Sequence, residues 1–178
     1  MNLICDFWCA LIIHRSQINL DSNAELDKLF FEVVSSFKKY CIFPDKIFHE
    51  LNTGDIEHLK NKDEYTNVEE YREKIKEFLV DVSAYLGFNE IYQKLIIPDI
   101  QKCIQTLQTD QNNITVWAYF EANVFMLCCV CNSLNKNENC DFLNELIGTL
   151  IQIPDNLQRL KLTFIDLIDQ LSLYLKIK

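Results

Sequence analysis

Cysteine is the residue type best able to do chemistry in this sequence, and two of the eight cysteines are spaced as a C-x-x-C motif, Cys128 and Cys131. In a redox protein such a pair sits at the start of a helix, where the helix dipole lowers the thiol pKa. Here the apolar periodicity places the pair near the middle of a helix. Cys140 alone does not supply the second ligand pair that a zinc site needs. The sequence therefore favours buried structural thiols.

The three histidines form no metal-binding or catalytic motif. The residues that begin at His49 resemble the zinc-protease motif H-E-x-x-H, but Thr53 occupies the position of the second histidine. His49 and His58 fall in an acidic segment and are interpreted as solvated side chains. His14 and Arg15 close the first predicted helix, where positive charge interacts favourably with the helix dipole. We interpret them as structural.

Three carboxylates, Glu121, Asp166 and Asp169, lie on predicted helices that otherwise bury apolar side chains. Paired acids can do acid-base chemistry, but only in a cleft where their pKa values are shifted. The sequence predicts no such cleft. Glu121 is instead interpreted as a hydrogen-bond partner of a neighbouring helix end.

Two other kinds of functional motif are not supported. Asn113-Ile114-Thr115 matches the N-glycosylation pattern, but no signal directs the chain to the secretory pathway. The three glycines are isolated from one another, so there is no phosphate-binding loop and no serine elbow. We therefore assign no catalytic residue, no cofactor and no metal, and we expect no enzymatic activity.

The composition predicts an all-α protein. A chain of 178 residues is long enough for one compact domain, and 49% hydrophobic residues with only three Gly and three Pro argue against disorder and against a many-stranded β fold. The net charge of −9 argues against nucleic-acid binding and against anionic membranes. No basic signal-peptide region precedes the apolar start, and we find no run of about 20 apolar residues. We expect a soluble protein of the cytoplasm and nucleus with reduced thiols.

Apolar periodicity predicts seven helices in up-down order, at residues 3–18, 22–41, 67–86, 88–108, 114–134, 139–152 and 155–176. Asn67 is predicted to cap the third helix and Gly87 to end it in the αL conformation, while Pro98 should kink or divide the fourth. Residues 42–67 lack periodicity and are predicted to form a long acidic loop, in which a few apolar residues could support a short helix. With that loop set aside, the first helices of successive pairs recur at roughly 40 to 47 residues, the spacing of HEAT repeats.

The chain resembles the central part of a transportin-SR type nuclear import receptor of the importin-β (karyopherin-β) superfamily. Four short motifs, in this order and spacing, carry the resemblance: Asp6-Phe7-Trp8, Tyr71-Arg72 continued to Leu86-Gly87, Trp117 with Glu121-Ala122, and Ile153-Pro154. The resemblance implies an α-solenoid of antiparallel helix pairs, HEAT-like or armadillo-like, with residues 1–178 forming one array of about three and a half repeats.

The same resemblance implies a function in nuclear protein import. Cargo similar to serine-arginine-rich splicing factors would lie on a concave surface lined by the second helices of the pairs, at residues 22–41, 88–108 and 139–152, and Ran-GTP would control its release. The family's Ran-GTP site and arginine-rich cargo helix have no counterpart in this sequence, so no functional residue is carried over. Apolar faces at both ends of the array should favour self-association.

An alternative function belongs to a different class. The chain could be a stand-alone helical scaffold whose acidic loop, residues 42–67, docks a basic protein partner through charge complementarity. An enzyme is a distant third possibility.

Overall fold

The computed structural model describes residues 24–134 except 55, residues 153–175, and the single residues Phe7, Ala10, Leu11, Leu146 and Gly148. Throughout this part of the chain the regular structure is helical and no strand occurs, which confirms the all-α prediction. The predicted helices 3–18 and 139–152 lie largely outside the described residues. So do five residues singled out from the sequence: Asp6, Trp8, His14, Arg15 and Cys140.

The described helices, in chain order, are α1 (Ala24–Lys38), α2 (Asp45–Thr53), α3 (Ile56–Leu59), α4 (Asp63–Leu86), α5 (Phe88–Ile91), α6 (Ile97–Thr109), α7 (Ile114–Val130) and α8 (Gln158–Leu175). A π-helical turn, Tyr92–Ile96, joins α5 to α6, and a 3-10 turn, Cys131–Ser133, follows α7. The buried apolar side chains form one continuous core.

Helix α7 lies at the centre of this core. It is apolar around most of its circumference and packs against α1, α2, α4, α6 and α8. A helix with no polar face is stable only when protein or lipid surrounds it on all sides. Within the described residues, 114–133 is the one helical stretch long and apolar enough to cross a membrane by length and composition, so our statement that no such run exists is wrong. Most of this stretch is buried against the other helices, as expected for the central helix of a core.

The predicted acidic loop at residues 42–67 is largely helical, which corrects the sequence interpretation. It contains α2, α3 and the first turn of α4, and Asn67 lies inside α4 instead of capping it. Helix α2 forms because its apolar residues recur on one face, and Ile47, Phe48 and Leu51 are all buried in the core. Helix α4 begins at Asp63, before the predicted cap, and the ring of Tyr65 in its first turn stacks on Phe43, with ring centroids 6.0 Å apart.

Pro98 divides the predicted fourth helix, as expected. It lies at the start of α6, directly after the π-helical turn. Proline has no N–H to donate to the preceding turn and its ring crowds the carbonyl four residues earlier, so the backbone widens before it. The Leu95 carbonyl in this turn accepts a hydrogen bond from the buried Lys38 Nζ at 2.7 Å. This hydrogen bond ties α1 to the π-helical turn between α5 and α6.

Gly87 ends α4, but not in the αL conformation that the sequence predicts. Its φ of 87° is positive and its ψ is 148°, while its N–H donates to the Ser83 carbonyl at 2.9 Å. That combination of angles is essentially restricted to glycine. The chain can therefore pass directly from α4 into α5 within one residue.

Gly87→Ala should lower the free energy of unfolding by about 1–3 kcal/mol, because alanine adopts this backbone conformation only with strain. No atom lies within 4 Å of the position an added Cβ would take, so the cost is conformational and not steric. Gly148→Ala is the matched control: Gly148 is helical, exposed and surrounded by open space, and alanine there should stabilise by about 0.5–1 kcal/mol. Urea unfolding followed by circular dichroism measures both. Equal effects of the two substitutions would contradict the assignment of strain to Gly87.

Candidate functional site

A buried ion pair joins α4 to α7 at the centre of the molecule. Arg72 and Glu121 are 1% and 0% exposed, and they meet in a bidentate contact with Nη1–Oε1 at 2.9 Å and Nη2–Oε2 at 2.5 Å. The planar guanidinium matches the carboxylate geometry, which makes this the strongest kind of side-chain hydrogen bonding. Arg72 lies on the buried stripe of α4, between Val68 and Ile75, where the helical periodicity would otherwise place an apolar residue.

The remaining donors of Arg72 are also satisfied. Its Nε and Nη2 donate to the Cys41 carbonyl at 2.9 and 2.6 Å, so the pair also fixes the chain that leaves α1. The guanidinium carbon lies 4.1 Å from the ring centroid of Phe43 and 4.7 Å from that of Phe125. Two aromatic faces and a carbonyl therefore replace the water that the cation loses on burial.

Helix α8 completes the site from the other side of Glu121. Thr163 donates its hydroxyl to Glu121 Oε1 at 2.5 Å, and Arg159 Nε lies 3.4 Å from the same oxygen. Arg159 also contacts Glu69, with Nη2–Oε1 at 3.1 Å. The Glu121 carboxylate thus receives contacts from α4 and α8 while it sits on α7, and it holds three helices together.

The protonation states of the pair follow from these contacts. Burial alone would raise the pKa of Glu121, but the charge and hydrogen bonds of Arg72, assisted by Arg159, hold that pKa below its ordinary value. Burial would lower the pKa of Arg72, but the Glu121 carboxylate raises it above its ordinary value. Both groups are therefore charged at neutral pH. A fully hydrogen-bonded carboxylate with a lowered pKa is a poor general base.

A cleft of about 380 Å³ opens beside the ion pair, between α4, α7 and α8. The sequence predicted no cleft for the carboxylates, and the structure corrects this for two of them, since Asp166 and Asp169 line it and are exposed. Glu121 is fully buried, and its partners are the side chains of Arg72, Thr163 and Arg159, not a helix end as we expected. The three predicted carboxylates are thus split between a buried ion pair and an open groove.

The C-x-x-C motif lies at the end of α7 and not near its middle. Cys128 is in the last turn of the helix and Cys131 is in the following 3-10 turn. Burial raises the pKa of Cys128 and of Cys129 well above ordinary values, so both thiols stay protonated and unreactive. The Cys128 thiol donates to the Thr163 carbonyl at 3.5 Å. Cys103, Cys128 and Cys129 are free thiols.

The other sequence candidates do not converge on a site. His49 and His58 are exposed on α2 and α3, and within the described ranges no three metal-ligating side chains come together. Asn113 caps α7, because its Oδ1 accepts from the Val116 N–H at 3.1 Å. Thr115 of the glycosylation pattern donates to Asp45 at 2.6 Å, which links α7 to α2. The glycosylation pattern therefore has a structural role.

A second polar cluster was missed by the sequence analysis. Lys38, only 5% exposed, contacts Asp99 Oδ2 at 2.5 Å, and Tyr119 donates to the same oxygen at 2.6 Å. Burial would raise the pKa of Asp99, but hydrogen bonds from Lys38 and Tyr119 lower it overall. This cluster joins α1, α6 and α7 as the Arg72–Glu121 pair joins α4, α7 and α8. Both clusters tie outer helices to α7.

Residues from three of the four sequence motifs that carry the family resemblance lie close together in space. Arg72 and Glu121, from two of the motifs, form the buried ion pair. Trp117 and Ile153-Pro154 line one cavity of about 280 Å³ at the turn between α6 and α7. In comparisons with known proteins, no family model matches the chain, and neither a curated protein nor a solved structure matches it.

Proposed function

We propose that the chain is a segment of a nuclear import receptor of the importin-β superfamily, built as an α-solenoid of HEAT-like helix pairs. In this proposal it binds protein cargo rich in arginine and serine and has no catalytic role. The observation that carries the proposal is the spatial pairing of the resemblance motifs. Arg72 meets Glu121, and Trp117 shares a cavity with Ile153-Pro154. If this chain packs its helices as the import receptors do, contacts between these motifs across helices are expected.

The arrangement of the cargo-facing helices supports the same proposal. Two of the three helices that the resemblance places on the concave surface correspond to α1 and to the helices α5 and α6. These elements are neighbours, because Lys38 of α1 binds both the Leu95 carbonyl and Asp99. A cleft of about 550 Å³ lies between α1 and the junction of α4 and α5. Glu90 lines it, and Glu32 stands exposed on α1 beside an adjoining hollow. Each carboxylate forms an exposed ion pair with a lysine, Glu90 with Lys94 and Glu32 with Lys28, so a basic peptide would bind by displacing these lysines.

Stacked helix pairs also suggest how such a segment would transmit a signal. Small rotations between neighbouring repeats add along a solenoid, so binding at one end can change curvature at the other. The two buried polar clusters hold α7 to four surrounding helices, α1, α4, α6 and α8, and would make this part of the array rotate as a unit. Ran-GTP bound elsewhere in a longer receptor would then alter the cargo surface through this segment.

The proposal predicts that Glu32→Lys with Glu90→Lys weakens binding of a fluorescent arginine-serine repeat peptide by about tenfold, because two carboxylates facing the cargo become cations. Fluorescence anisotropy measures the affinity, and its salt dependence reports the charge contribution. Glu57→Lys with Glu64→Lys is the matched control. These two carboxylates are also exposed but lie in the acidic segment 42–67.

The control separates the proposal from its alternative. The segment 42–67 carries six acidic and three basic residues. If it docks a basic partner as a stand-alone scaffold, the Glu57 and Glu64 substitutions will abolish peptide binding and the Glu32 and Glu90 substitutions will not. If neither pair changes binding, or if the unaltered chain does not bind the peptide, the import proposal fails. The proposed control by Ran-GTP is tested by pull-down with Ran-GTP, using the chain together with any flanking helical repeats encoded beside it.

A further inference from the structure

Helix α8 carries an exposed apolar stripe on the side facing away from the core. Leu162, Ile165 and Ile168 are 48%, 61% and 48% exposed. The opposite side of the same helix is buried against α7 and α2, through Leu160, Phe164, Leu167 and Leu171. Residues three positions apart are neighbours on a helix surface, so the three exposed side chains form one continuous strip that runs obliquely across the outer face of α8.

The charges beside this strip are arranged symmetrically with opposite sign. Lys161 lies four residues before Ile165 and Asp169 lies four residues after it. Four residues correspond to about one helical turn, so both charges lie on the same face as Ile165, one turn above and one turn below. Leu162 and Ile168 are likewise equidistant from Ile165. The face is therefore apolar in the middle, positive towards its amino end and negative towards its carboxyl end.

We propose that α8 packs antiparallel against α8 of a second copy of this chain, around a two-fold axis at Ile165. A two-fold interface brings each surface patch against itself, so position 165 meets 165, and 162 meets 168. Lys161 of each copy then faces Asp169 of its partner. The opposite charges and the matching apolar positions are both satisfied only in the antiparallel arrangement. A parallel pair would set Lys161 against Lys161 and Asp169 against Asp169.

The size of the strip sets the strength of the dimer. Three half-exposed aliphatic side chains present roughly 300 Å² of apolar surface, near the lower end for the largest patch on a monomer. Standard stable interfaces bury about 1,200–2,000 Å² in total, so this one is smaller and reversible. We expect dissociation at roughly micromolar to millimolar concentrations. The strip is distinct from the surface between α1 and α5, so self-association does not depend on the proposed cargo binding.

Sedimentation equilibrium over a range of concentrations tests the proposal. The unaltered chain should show a monomer-dimer equilibrium, and Ile165→Asp should raise the dissociation constant at least about tenfold, since it buries two unpaired carboxylates at the axis. Leu29→Asp is the matched control, because Leu29 is 39% exposed on α1 and outside the proposed interface. Circular dichroism and the melting temperature check that both variants are folded. An unaltered chain that stays monomeric, or an equal effect of the two variants, would overturn the proposal.

A charge exchange tests the antiparallel register without altering the apolar strip. Lys161→Asp and Asp169→Lys should each weaken the homodimer, because each places like charges opposite one another. A mixture of the two variants should form a heterodimer that restores association, since opposite charges then face each other at both ends. Lys161 also contacts Asp155 within the same copy at 2.6 Å, but an exposed pair of this kind contributes little to stability. If the mixture associates no better than the separate variants, the register is wrong and the proposal fails.

Discussion

Glu121→Leu should lower the free energy of unfolding by about 3–5 kcal/mol, the usual cost of removing one partner of a buried ion pair. The substitution leaves the Arg72 guanidinium buried with the Cys41 carbonyl and two aromatic faces but with no carboxylate. It also removes the acceptor of the Thr163 hydroxyl. Urea unfolding followed by far-UV circular dichroism measures the change. Glu73→Gln is the control, because Glu73 is an exposed carboxylate next to Arg72 on α4 and its loss should cost less than about 0.5 kcal/mol.

The reciprocal substitution, Arg72→Met, should lower the free energy of unfolding by less. Arg72→Met keeps an apolar side chain of similar length between Phe43 and Phe125, while the Glu121 charge retains Arg159 at 3.4 Å and the Thr163 hydroxyl. The double variant Arg72→Met with Glu121→Leu should be more stable than the sum of the single effects predicts, because no charge is then left buried. If the two single effects on the free energy of unfolding add up to the effect of the double variant, the two side chains do not interact, contrary to the structure.

The helical fold was predictable because its signal is local. Apolar residues at helical spacing placed α1, α7 and α8 within a few residues of their observed ends, and one predicted helix, 88–108, covered α5, the π-helical turn and α6. The segment 42–67 was predicted to be a loop with room for one short helix, and the structure is more helical than that, because its helices are short and its charges are frequent. The burial that makes α2 helical comes from contacts with α7 and α8, which are distant in sequence. Tertiary packing decided a structure that local periodicity left open.

The polar clusters were only partly predictable. Glu121 was recognised as a buried hydrogen-bonding group, but its partner Arg72 was not assigned, although it falls on the apolar stripe of α4 between Val68 and Ile75. Lys38 similarly follows Val34 and Phe37 on the buried side of α1. A basic residue at a core position of a helical stripe is a signal that a buried acid must lie opposite, since an unpaired charge is too costly to bury. Which acid it is depends on how the helices pack, and the sequence alone does not give that.

The two clusters also explain why α7 can sit at the centre of the molecule in one orientation. An apolar helix buried on all sides could rotate or slide among its neighbours with little change in burial. Glu121 and Tyr119 point to different partners, Arg72 and Asp99, and each partner is on a different helix. Buried polar contacts that are satisfied in one arrangement only can select that arrangement from others of similar apolar burial. We infer that the clusters specify helix register more than they add stability.

Acid should unfold the protein through the same carboxylates. The Glu121 pKa is lowered in the folded state, so as the pH falls an unfolded chain takes up the proton first, near the ordinary value of about 4.3. The stability contributed by the ion pair is therefore fully present above about pH 5 and is lost progressively as the pH falls towards the folded-state pKa. Asp99, whose pKa is also lowered, adds to the loss with the same sign.

Glu121→Gln removes one of these groups and should flatten the dependence of stability on pH. Between the folded and unfolded pKa values a single carboxyl changes the free energy of unfolding by about 1.4 kcal/mol per pH unit, so the slope below about pH 4.5 should decrease by up to that amount. Asp99→Asn should flatten the slope less, because its carboxylate remains partly in contact with solvent, which weakens the electrostatic interaction. Urea unfolding at pH 3 to 7 measures the slopes, with Glu73→Gln as the exposed control. If Glu121→Gln shows the same slope as the unaltered chain, the carboxylate is not held ionised by Arg72.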